Sequence, residues 1–442
     1  MRTDPLISAL YFARTRWWLN FRSRTALQAW QTRSIEHFMR TTLLKAPYYQ
    51  GLKARTLHEL PLMDKASMMA EFNERNTRGV TLSDALAVGL QAEQSRNFSP
   101  RLGDLTVGLS SGTSGNRGVF LVSDAERLRW AGVLLGRALP AVLLRHILSP
   151  WKKPLRIAFF LRANSNLYTT LNSRRIDFAF YDLLQGADAA LASLNQHPPD
   201  VLVGPPALLR SLSDCVRSHT LWIQPQHVIS VADVLEPQDR TLIEAAFHVP
   251  VHQLYQATEG FLGYTCEQGT LHLNEAHMHI EPEWLDAEHT RFQPIVTDFS
   301  RETQLIVRYR LNDILRVTAK PCACGRVERA IEAIEGRSDD VVWLPAHRTH
   351  QLTALYPDTI RRQFLLAIPA PIEYNMRQEG MHWIIGLQPH PDTALHIQAL
   401  QIAFAQLCAT QGLQEPTLTF TQWQAPAPGA KRRRIVCTYP PK

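Results

Sequence analysis

The sequence predicts an α/β protein in which a large domain, residues 1–336, is followed by a small α+β domain, residues 337–442. Three observations support this prediction. The chain has 442 residues, of which 45% are hydrophobic and 20% are charged, which is enough for two domains with buried cores. Between about residues 100 and 320, short apolar runs alternate with helix-like segments. After residue 337 the pattern becomes a shorter mixture of helices and strands.

The first 50 residues are predicted to be helical. Apolar side chains from Leu27 to Leu43 recur at roughly helical intervals, and Pro47 is expected to stop the helix. Ahead of this helix, Trp17 and Trp18 stand beside arginines. The short apolar face favours a helix that docks on the protein body and packs its aromatic rings there. The alternative is a peripheral contact between this N-terminal segment and a membrane surface.

The middle of the chain predicts a largely parallel sheet. Apolar runs typical of strands buried on both faces occupy residues 155–161, 200–204, 226–235 and 249–256. Helix-like segments separate them at residues 186–196, 205–219 and 236–247. In such a sheet, ligands bind at the carboxyl ends of the strands. Residues 303–317 are predicted to form paired strands of an antiparallel subdomain.

Charge and hydropathy narrow the class of function. The net charge is +7, and the mean hydropathy of −0.18 does not indicate an integral membrane protein. The first residues lack the order of charged, apolar and small residues of a secretory signal, so a cytoplasmic enzyme is expected. No nucleic-acid-binding motif accompanies the basic charge, so we expect no nucleic-acid partner. An anionic small molecule such as ATP or coenzyme A fits the charge instead.

The segment VGLSSGTSGNRGVF, residues 107–120, is rich in glycine and hydroxyl residues. Such a loop can point several backbone N–H groups inward and so hold phosphate oxygens. It lacks the Lys-Ser/Thr pair of a Walker loop. Taken alone, it is equally typical of a flexible linker.

Further along the chain, other residues suited to a nucleotide follow in order. Tyr255, Thr258 and Glu259 stand at the end of a predicted strand, where a carboxylate can hold Mg²⁺ and an aromatic ring can stack on a base. Asp313 follows in VRYRLNDIL and is suited to accept hydrogen bonds from ribose hydroxyls. Arg337 and two acids follow in EGRSDDVV.

These motifs, in this order, resemble the adenylate-forming enzyme superfamily. The chain is most similar to phenylacetate–coenzyme A ligases and to the synthetases that adenylate a deazaflavin cofactor, from RTALQAWQTRS through GRSDD. The resemblance implies the adenylate-forming, acyl-CoA synthetase-like fold. It also implies ATP-dependent activation of a carboxylic acid with Mg²⁺, followed by transfer to a thiol of coenzyme A or a carrier protein. The tail beyond about residue 345 matches poorly.

The resemblance also assigns roles to residues. It implies that Glu259 holds Mg²⁺, that Thr258 contacts phosphate, that Asp339 is the hinge, and that Lys431 approaches the carboxylate and the α-phosphate during adenylation. The residues implied to bind the nucleotide are Ser110, Ser111, Gly112, Thr113, Ser114, Gly115, Ala232, Asp233, Tyr255, Asp313 and Arg337.

The sequence also departs from the family pattern. Asn116, Arg117 and Gly118 replace the usual Pro and Thr after the phosphate loop, and Ala430 precedes Lys431 where the family has Gly. The glycine-containing loop that helps to build the coenzyme A tunnel is replaced by VVWLPAHRTHQLTALYP. The acceptor therefore stays open between coenzyme A, a carrier-protein thiol, an amine, and release of the adenylate. A solvated basic tail is the alternative interpretation of Lys431.

Cysteine spacing predicts a structural zinc site. Cys266 and His272 lie six residues apart, and Cys322 and Cys324 form a second pair in PCACGR. Three thiolates and one imidazole could close a tetrahedral Zn²⁺ site with no open position for catalysis. His277 and His279 are the alternative to His272. The other interpretation is a core cysteine and a turn without metal.

The acid itself is the least predictable part of the site. An aromatic-rich span suits an aromatic or flat apolar acid, although core packing is the more frequent role of any one ring. The rival to an enzyme is a non-catalytic protein that keeps the fold and binds nucleotide without ligase turnover. The aromatic residues of this span are Phe159, Phe160, Tyr168, Phe178, Phe180 and Tyr181.

Overall fold

The computed structural model describes residues 5–95, 97, 99–109, 118–161, 171–183, 188–368, 372–425 and 433–439. The α-helices are α1 (Pro5–Ala13), α2 (Arg24–Thr41), α3 (Pro47–Gln50), α4 (Lys65–Ala70), α5 (Phe72–Arg75), α6 (Leu82–Ser95), α7 (Asp124–Ala138), α8 (Ala141–Leu148), α9 (Asp188–Gln196), α10 (Pro206–Arg217), α11 (Pro237–Phe247), α12 (Pro357–Ala367) and α13 (Thr393–Gln411). A π-helical segment, Arg14–Trp18, continues α1, and short 3₁₀ turns occupy Leu43–Lys45, Leu57–Glu59 and Ser338–Asp340.

The strands are β1 (Leu105–Leu109), β2 (Val119–Ser123), β3 (Leu155–Leu161), β4 (Ile176–Asp182), β5 (Val201–Gly204), β6 (His227–Ser230), β7 (Val251–Ala257), β8 (Gly260–Thr265), β9 (Leu271–Leu273), β10 (His279–Trp284), β11 (Arg291–Thr297), β12 (Tyr309–Arg310), β13 (Asp313–Val317), β14 (Ala330–Arg337), β15 (Val342–Pro345), β16 (Leu352–Leu355), β17 (Tyr374–Glu379), β18 (His382–Leu387), β19 (Thr417–Gln422) and β20 (Ile435–Cys437). The chain divides into two compact units. The first comprises residues 1–290, 294–311 and 317–332, and the second comprises residues 291–293, 312–316 and 333–442.

The N-terminal helices follow the predicted pattern with one difference. The side chain of Ser23 caps α2 by accepting a hydrogen bond from the amide of Ala26 at 3.1 Å. The helix ends at Thr41, before Pro47, and Pro47 instead occupies the first turn of α3. Proline suits that position because an N–H in the first turn of a helix has no hydrogen-bond partner within the helix, so nothing is lost when proline lacks one.

Two glycines let α1 pack closely on α7. A Cβ added to Gly132 would lie 2.4 Å from the carbonyl oxygen of Ser8, and one added to Gly136 would lie 3.0 Å from Cβ of Thr15. The hydroxyl of Ser8 also donates to the carbonyl of Leu128 at 3.0 Å. The docking of this segment on the protein body is therefore confirmed, but the expectation that its aromatic rings pack on the body is wrong for Trp17 and Trp18, which are 56% and 69% exposed.

The predicted parallel sheet is confirmed. Strands β4, β3, β5, β6 and β7 lie side by side in that order, and each neighbouring pair is parallel. The chain reaches successive strands through α9, α10 and α11. Because these strands are buried on both faces, their sequences read as continuous apolar runs.

Two apolar cores lie on opposite faces of this sheet. Ile157 and Phe159 point into one core, which α7 and α8 cover, and the alternating residues Ala158 and Phe160 point into the other core, beneath α9, α10 and α11. The carboxyl edge of the strands remains between these two helical layers.

Beyond β7 the sheet continues with antiparallel strands. Strand β8 pairs with β7 and β9, and Ala330 at the start of β14 pairs with His272 of β9. Residues 303–317 do contain two strands, but β12 and β13 each pair with β11 rather than with each other. That part of the prediction was wrong because strands close in sequence took a partner from an earlier segment.

The second unit has its own sheet and core. Strand β17 pairs antiparallel with β18, whereas β18–β19 and β17–β20 are parallel. Trp383 is fully buried, with its ring edge-on to Phe404 of α13 at a centroid distance of 5.2 Å. Phe364 of α12 stacks on Tyr374 at 4.0 Å. Within the described ranges, no helix combines the length and apolar content needed to cross a bilayer.

Candidate functional site

The carboxyl ends of β6 and β7 carry several residues predicted to contact a nucleotide. Ala232 and Asp233 follow β6 directly. Ala232 has a φ of 72°, in the left-handed region that non-glycine residues seldom adopt. The Asp233 amide donates to the Val231 carbonyl at 2.9 Å, which fixes this turn locally. Backbone strain of this kind is concentrated at binding sites.

The turn between β7 and β8 holds Thr258 and Glu259, as the sequence predicted. Tyr255 lies on β7 and is buried. The β7–β8 ladder shifts register between Tyr255 and Gln256. A bulge of this kind re-aims the side chains that follow it. The irregular ladder therefore sets the direction in which this turn presents its side chains.

Glu259 is a buried carboxylate with a hydroxyl partner. Its side chain accepts a hydrogen bond from the hydroxyl of Tyr309, which lies on β12. Burial raises the pKa of Tyr309, and the negative charge of Glu259 raises it further, so the phenol stays protonated and donates. A Cβ on Gly260 would lie 2.5 Å from the terminal carbon of Met278, so a larger residue after Glu259 would require the Met278 side chain to move.

Arg301 fastens the backbone of the same turn. Its Nη2 donates to the Thr258 carbonyl at 2.8 Å, and its Nε lies 3.9 Å from Oδ2 of Asp298. Burial raises the pKa of Asp298, while the Arg301 charge opposes that rise. The guanidinium therefore links the Thr258–Glu259 turn to the segment that follows β11.

Glu126 anchors that segment from the other side. Its Oε1 accepts hydrogen bonds from the amides of Glu302 at 2.8 Å and Thr303 at 3.0 Å. Burial alone would raise the pKa of Glu126, but the Arg301 charge and the hydrogen bonds, among them that of Thr303, lower it below the usual value. An ionised Glu126 thus holds residues 298–303 against the start of α7.

Three predicted residues lie in the described part of the second unit. Asp313 begins β13 and Arg337 ends β14, with Arg337 Nε 4.0 Å from Asp313 Oδ1. Asp339, the predicted hinge residue, accepts a hydrogen bond from the side chain of Asn312 at 3.2 Å. The Ser338 amide donates to the Asn312 carbonyl at 2.7 Å. The structure therefore joins the ends of β13 and β14 through four neighbouring polar residues.

Asp340 lies next to the predicted hinge residue and pairs with Arg433, whose Nε lies 3.0 Å from its Oδ1. Burial raises the pKa of Asp340, and the Arg433 hydrogen bond and charge oppose it. Lys431, two residues before Arg433, lies outside the described residues. So do Ser110, Ser111, Gly112, Thr113, Ser114 and Gly115, which the sequence places between the antiparallel strands β1 and β2.

The four predicted metal ligands come together. One ligand atom from each of Cys266, His272, Cys322 and Cys324 lies within 4.8 Å of the other three. The sulfurs of Cys266 and Cys322 are 3.7 Å apart, and Cys324 Sγ is 3.4 Å from His272 Nε2. Ligands at the edges of a tetrahedral zinc site lie about 3.8 Å apart for Zn–S bonds of 2.3 Å, so this spacing fits the metal.

The environment of the cluster also fits a metal. Nδ1 of His272 lies 3.0 Å from the Glu328 carbonyl, so Nδ1 carries the proton and leaves Nε2 free as a ligand. A sulfur separation of 3.7 Å is far longer than a disulfide bond. His277 lies elsewhere, 3.1 Å from the Thr15 hydroxyl, and is not part of the cluster.

Comparison with known proteins bears on the fold. No family model and no curated protein sequence matches this chain. A solved structure of 2-hydroxyisobutyryl-CoA ligase, in the postadenylation state with R3-HIB-AMP, matches 95% of this chain and 91% of its own, with a TM-score of 0.63 and 15% identity. An open conformation of that ligase, with 2-HIB-AMP and CoA, covers 92% and 90%, with a TM-score of 0.54 and 14% identity.

A third match is GH3.15 acyl acid amido synthetase, covering 89% of this chain and 85% of its own, with a TM-score of 0.55 and 13% identity. The chain has the fold of the adenylate-forming ligases. The sequence-based expectation of this fold is confirmed.

Within the adenylate-forming fold, the aromatic span packs mostly into the cores. Phe159 and Phe178 belong to one core and Phe160 to the other. Tyr181 stacks on Phe160 at 4.6 Å, and Phe180 stacks on Phe159 at 6.2 Å. Tyr168 lies outside the described residues. The span therefore gives little support to an aromatic substrate.

Three residues that support the Thr258–Glu259 turn were missed by the sequence reasoning. Arg301, Tyr309 and Glu126 each lie far along the chain from Glu259. Tyr309 stands in VRYRLNDIL, the same motif as Asp313, so a signal for it existed. Nothing in the local pattern around Glu126 or Arg301 distinguishes them from surface charges.

Proposed function

We propose that this protein activates a carboxylic acid with ATP to form an acyl-adenylate and then transfers the acyl group to a thiol. The fold supports this proposal, because the matched 2-hydroxyisobutyryl-CoA ligase carries an acyl-AMP. The observation that carries it is the buried, hydrogen-bonded Glu259 in the turn after β7, at the carboxyl edge where sheets of this class bind ligands.

Glu259 is the residue that would hold Mg²⁺ beside the nucleotide phosphates, and the Thr258 hydroxyl would contact phosphate. Carboxylate oxygens suit this cation, and the Tyr309 hydrogen bond orients the carboxylate. When bound, Mg²⁺ would neutralise charge on the phosphates. Arg301 would act through the backbone, because it holds the Thr258 carbonyl and not a side chain of the turn.

The remaining nucleotide contacts are assigned by chain order within this fold. Ala232 and Asp233 would line adenine, and Tyr255 would contact the nucleotide. Asp313 and Arg337 would bind ribose, and Asp339 would serve as the hinge. Ser110, Ser111, Gly112, Thr113, Ser114 and Gly115 would surround the β- and γ-phosphates. We place the boundary of the mobile small domain at residues 336/337.

The reaction needs positioning more than covalent participation by the protein. A substrate carboxylate attacks the α-phosphorus of ATP and pyrophosphate leaves, so negative charge must be brought together and neutralised. Lys431 would approach the carboxylate and the α-phosphate. A thiol then attacks the acyl carbon of the adenylate and AMP leaves.

The acceptor is proposed to be the thiol of coenzyme A or of an acyl carrier protein. The matched CoA ligase in its open conformation holds CoA. An amine is the alternative acceptor, and the match to an acyl acid amido synthetase favours testing it. Products formed with coenzyme A, with a carrier protein and with amino acids would separate these cases.

We also propose that Cys266, His272, Cys322 and Cys324 bind a structural Zn²⁺. All four positions of a tetrahedral site would be filled by protein atoms, so the metal would have no open position for catalysis. It would join the turn between β8 and β9 to the turn before β14.

The test is ATP–pyrophosphate exchange with a panel of aryl and fatty acids, with mass spectrometry of the acyl-AMP. We expect at least one acid to support exchange, and Lys431→Ala to suppress it while Lys320→Ala, a change at an exposed lysine, does not. A folded protein that binds ATP but supports no exchange with any acid would favour the non-catalytic alternative. Full activity of Lys431→Ala would refute the lysine assignment.

A further inference from the structure

Four tryptophans in the described part of the chain are largely exposed. Trp151 is 91% exposed, Trp18 69%, Trp222 68% and Trp17 56%. Tryptophan is rarely displayed in this way on a soluble surface, because each ring leaves a large apolar area in water. Neither the adenylation chemistry nor the metal cluster uses any of these rings.

The four tryptophans lie toward one edge of the parallel sheet. Trp151 precedes β3 and Trp222 precedes β6, so both stand where strands begin. The π-helical segment with Trp17 and Trp18 reaches the same edge. Its Arg16 donates to the Leu139 carbonyl at 2.8 Å and lines a small cavity with residues at the start of β6 and β7, His227 and His252.

This edge is opposite the one that carries Glu259, because parallel strands begin at one edge and end at the other. We name the four tryptophans, Trp17, Trp18, Trp151 and Trp222, the amino-edge surface. The surface is therefore separate from the candidate active site, although both belong to the first unit.

Two of the exposed rings are presented by hydrogen-bonded turns. The guanidinium of Arg175 donates to four carbonyls of the turn that carries Trp151, those of His146, Ile147, Ser149 and Lys152. Asn195 holds the second turn, because its Oδ1 accepts from the Trp222 amide at 2.7 Å and its Nδ2 donates to the Thr220 carbonyl at 3.1 Å. Because the backbone of each turn is already fixed by these hydrogen bonds, binding through its ring costs little further conformational entropy.

The charge around the amino-edge surface is positive. Residues 5–35 contain five arginines and no Asp or Glu, and residues 127–176 contain no Asp or Glu. Arg22, Arg145, Lys152 and Lys153 are exposed. The carboxylates near the edge already have partners, since Glu267 lies 3.8 Å from Arg16, Asp177 lies 2.8 Å from Arg156, and Asp200 accepts from Gln226 at 2.9 Å. Asp214 near Trp222 pairs with Arg217.

We propose that the amino-edge surface binds an anionic lipid bilayer. Tryptophan rings sit at the level of lipid headgroups, and arginine and lysine beside them are attracted by anionic lipid. A second copy of the chain is a poorer occupant, because a two-fold contact would bring the same cationic segments together, while the nearby carboxylates Glu267 and Asp177 are already paired with Arg16 and Arg156. In this orientation the carboxyl edge of the sheet faces water, where nucleotide is available.

The experiment is co-sedimentation of the full chain with phosphatidylcholine vesicles, made with and without phosphatidylglycerol, at low and high salt. We expect binding to vesicles with phosphatidylglycerol at low salt, weak binding to neutral vesicles, and loss of binding at high salt. Trp151→Ala, Trp222→Ala and the double change Trp17→Ala/Trp18→Ala should each weaken partitioning, by about tenfold per ring removed.

A matched pair of leucine changes controls for exposed apolar area. Leu148 beside Trp151 is 66% exposed, and Leu366 in the second unit is 68% exposed. Leu148→Ser should weaken binding, and Leu366→Ser should not. The variants should retain the thermal transition and whatever adenylation the wild type shows, so a failed adenylation assay leaves this test intact.

Three results would overturn the proposal. The first is a folded protein that sediments with neither kind of vesicle. The second is binding that Trp151→Ala and Leu366→Ser weaken equally. The third is a stable dimer, seen by light scattering, that Trp151→Ala or Trp222→Ala converts to a monomer, because the surface would then be an interface between copies.

Discussion

Removal of metal from the cysteine–histidine cluster should destabilise the protein measurably. Cys266 and His272 are buried, and the four ligand atoms lie within 4.8 Å of one another. Without a bound cation, the three cysteine side chains and the imidazole would lie close together with no metal ion to coordinate. A metal present at a hundredfold excess over its dissociation constant stabilises the native state by about 2.7 kcal/mol, so removing it should lower the melting temperature of a chain of this size by roughly 3–4 °C.

The assay has two readouts. Elemental analysis of the purified protein should find one zinc per chain, and the melting temperature should fall after chelation and recover when zinc is added back. Cys324→Ser should lose the metal and lower the melting temperature even without chelator. The matched control is Cys215→Ser, a half-buried cysteine outside the cluster, which should retain both zinc and stability.

One result would refute the reasoning about this cluster. If the protein contains no zinc, and Cys324→Ser and Cys215→Ser melt at the same temperature, the ligand geometry does not reflect a metal site. The side chains would then be a core cysteine, a buried histidine and a turn, as the alternative interpretation of the sequence held.

Three further predictions concern the site and the packing around it. Tyr309→Phe removes the hydroxyl that donates to Glu259. A hydrogen bond to a charged group is worth about 1.5–3 kcal/mol, so the rate of ATP–pyrophosphate exchange should fall at least about tenfold. Tyr439→Phe, at an exposed ring, should leave that rate unchanged, and equal exchange rates in the two variants would contradict the role given to Tyr309. Folding lowers the pKa of Glu126 below its ordinary value of 4.5. The ionised carboxylate therefore stabilises the folded state fully above pH 4.5, and this contribution is lost as the pH falls through the lower pKa of the folded state. The difference in free energy of unfolding between wild type and Glu126→Gln, measured with urea, should be about 1–3 kcal/mol near neutral pH and should shrink in acid, whereas a difference that grew in acid would contradict the argument. Gly132→Ala would place Cβ 2.4 Å from the Ser8 carbonyl oxygen. Overpacking of this kind costs about 1–3 kcal/mol, against a gain of about 1 kcal/mol from the higher helix propensity of alanine. Limited proteolysis should therefore release the N-terminal segment faster than in wild type, and an unchanged rate of cleavage would contradict this prediction.

The parallel sheet was predictable because its signal is local. The apolar run 155–161 became β3 with the same bounds, and the run 249–256 became β7 within two residues at each end. The metal ligands were also predictable, because each pair, Cys266 with His272 and Cys322 with Cys324, lies close together in the sequence. The order of motifs supplied the fold, since four polar motifs in that sequence are rare together.

The contacts that build the site were not predictable from local pattern. Arg301 reaches the Thr258 carbonyl from 43 positions along the chain, and Glu126 reaches Thr303 from 177. Such contacts are made by tertiary packing and leave no periodicity in the sequence. The same limit explains the wrong pairing of residues 303–317, because the partner β11 lies outside the segment. Phe159 and Phe160 of the aromatic span pack into the two cores, the role that the sequence favoured for any one ring, because they alternate as the residues of a buried strand do.

The central claim is that the turn after β7 binds Mg-nucleotide for adenylation of a carboxylic acid. ATP–pyrophosphate exchange across the acid panel, run on wild type, Glu259→Gln and Glu288→Gln, tests it most directly. Glu288 is exposed and lies away from the turn in sequence. We predict acid-dependent exchange in wild type and Glu288→Gln and its loss in Glu259→Gln. Undiminished exchange in Glu259→Gln would contradict the account.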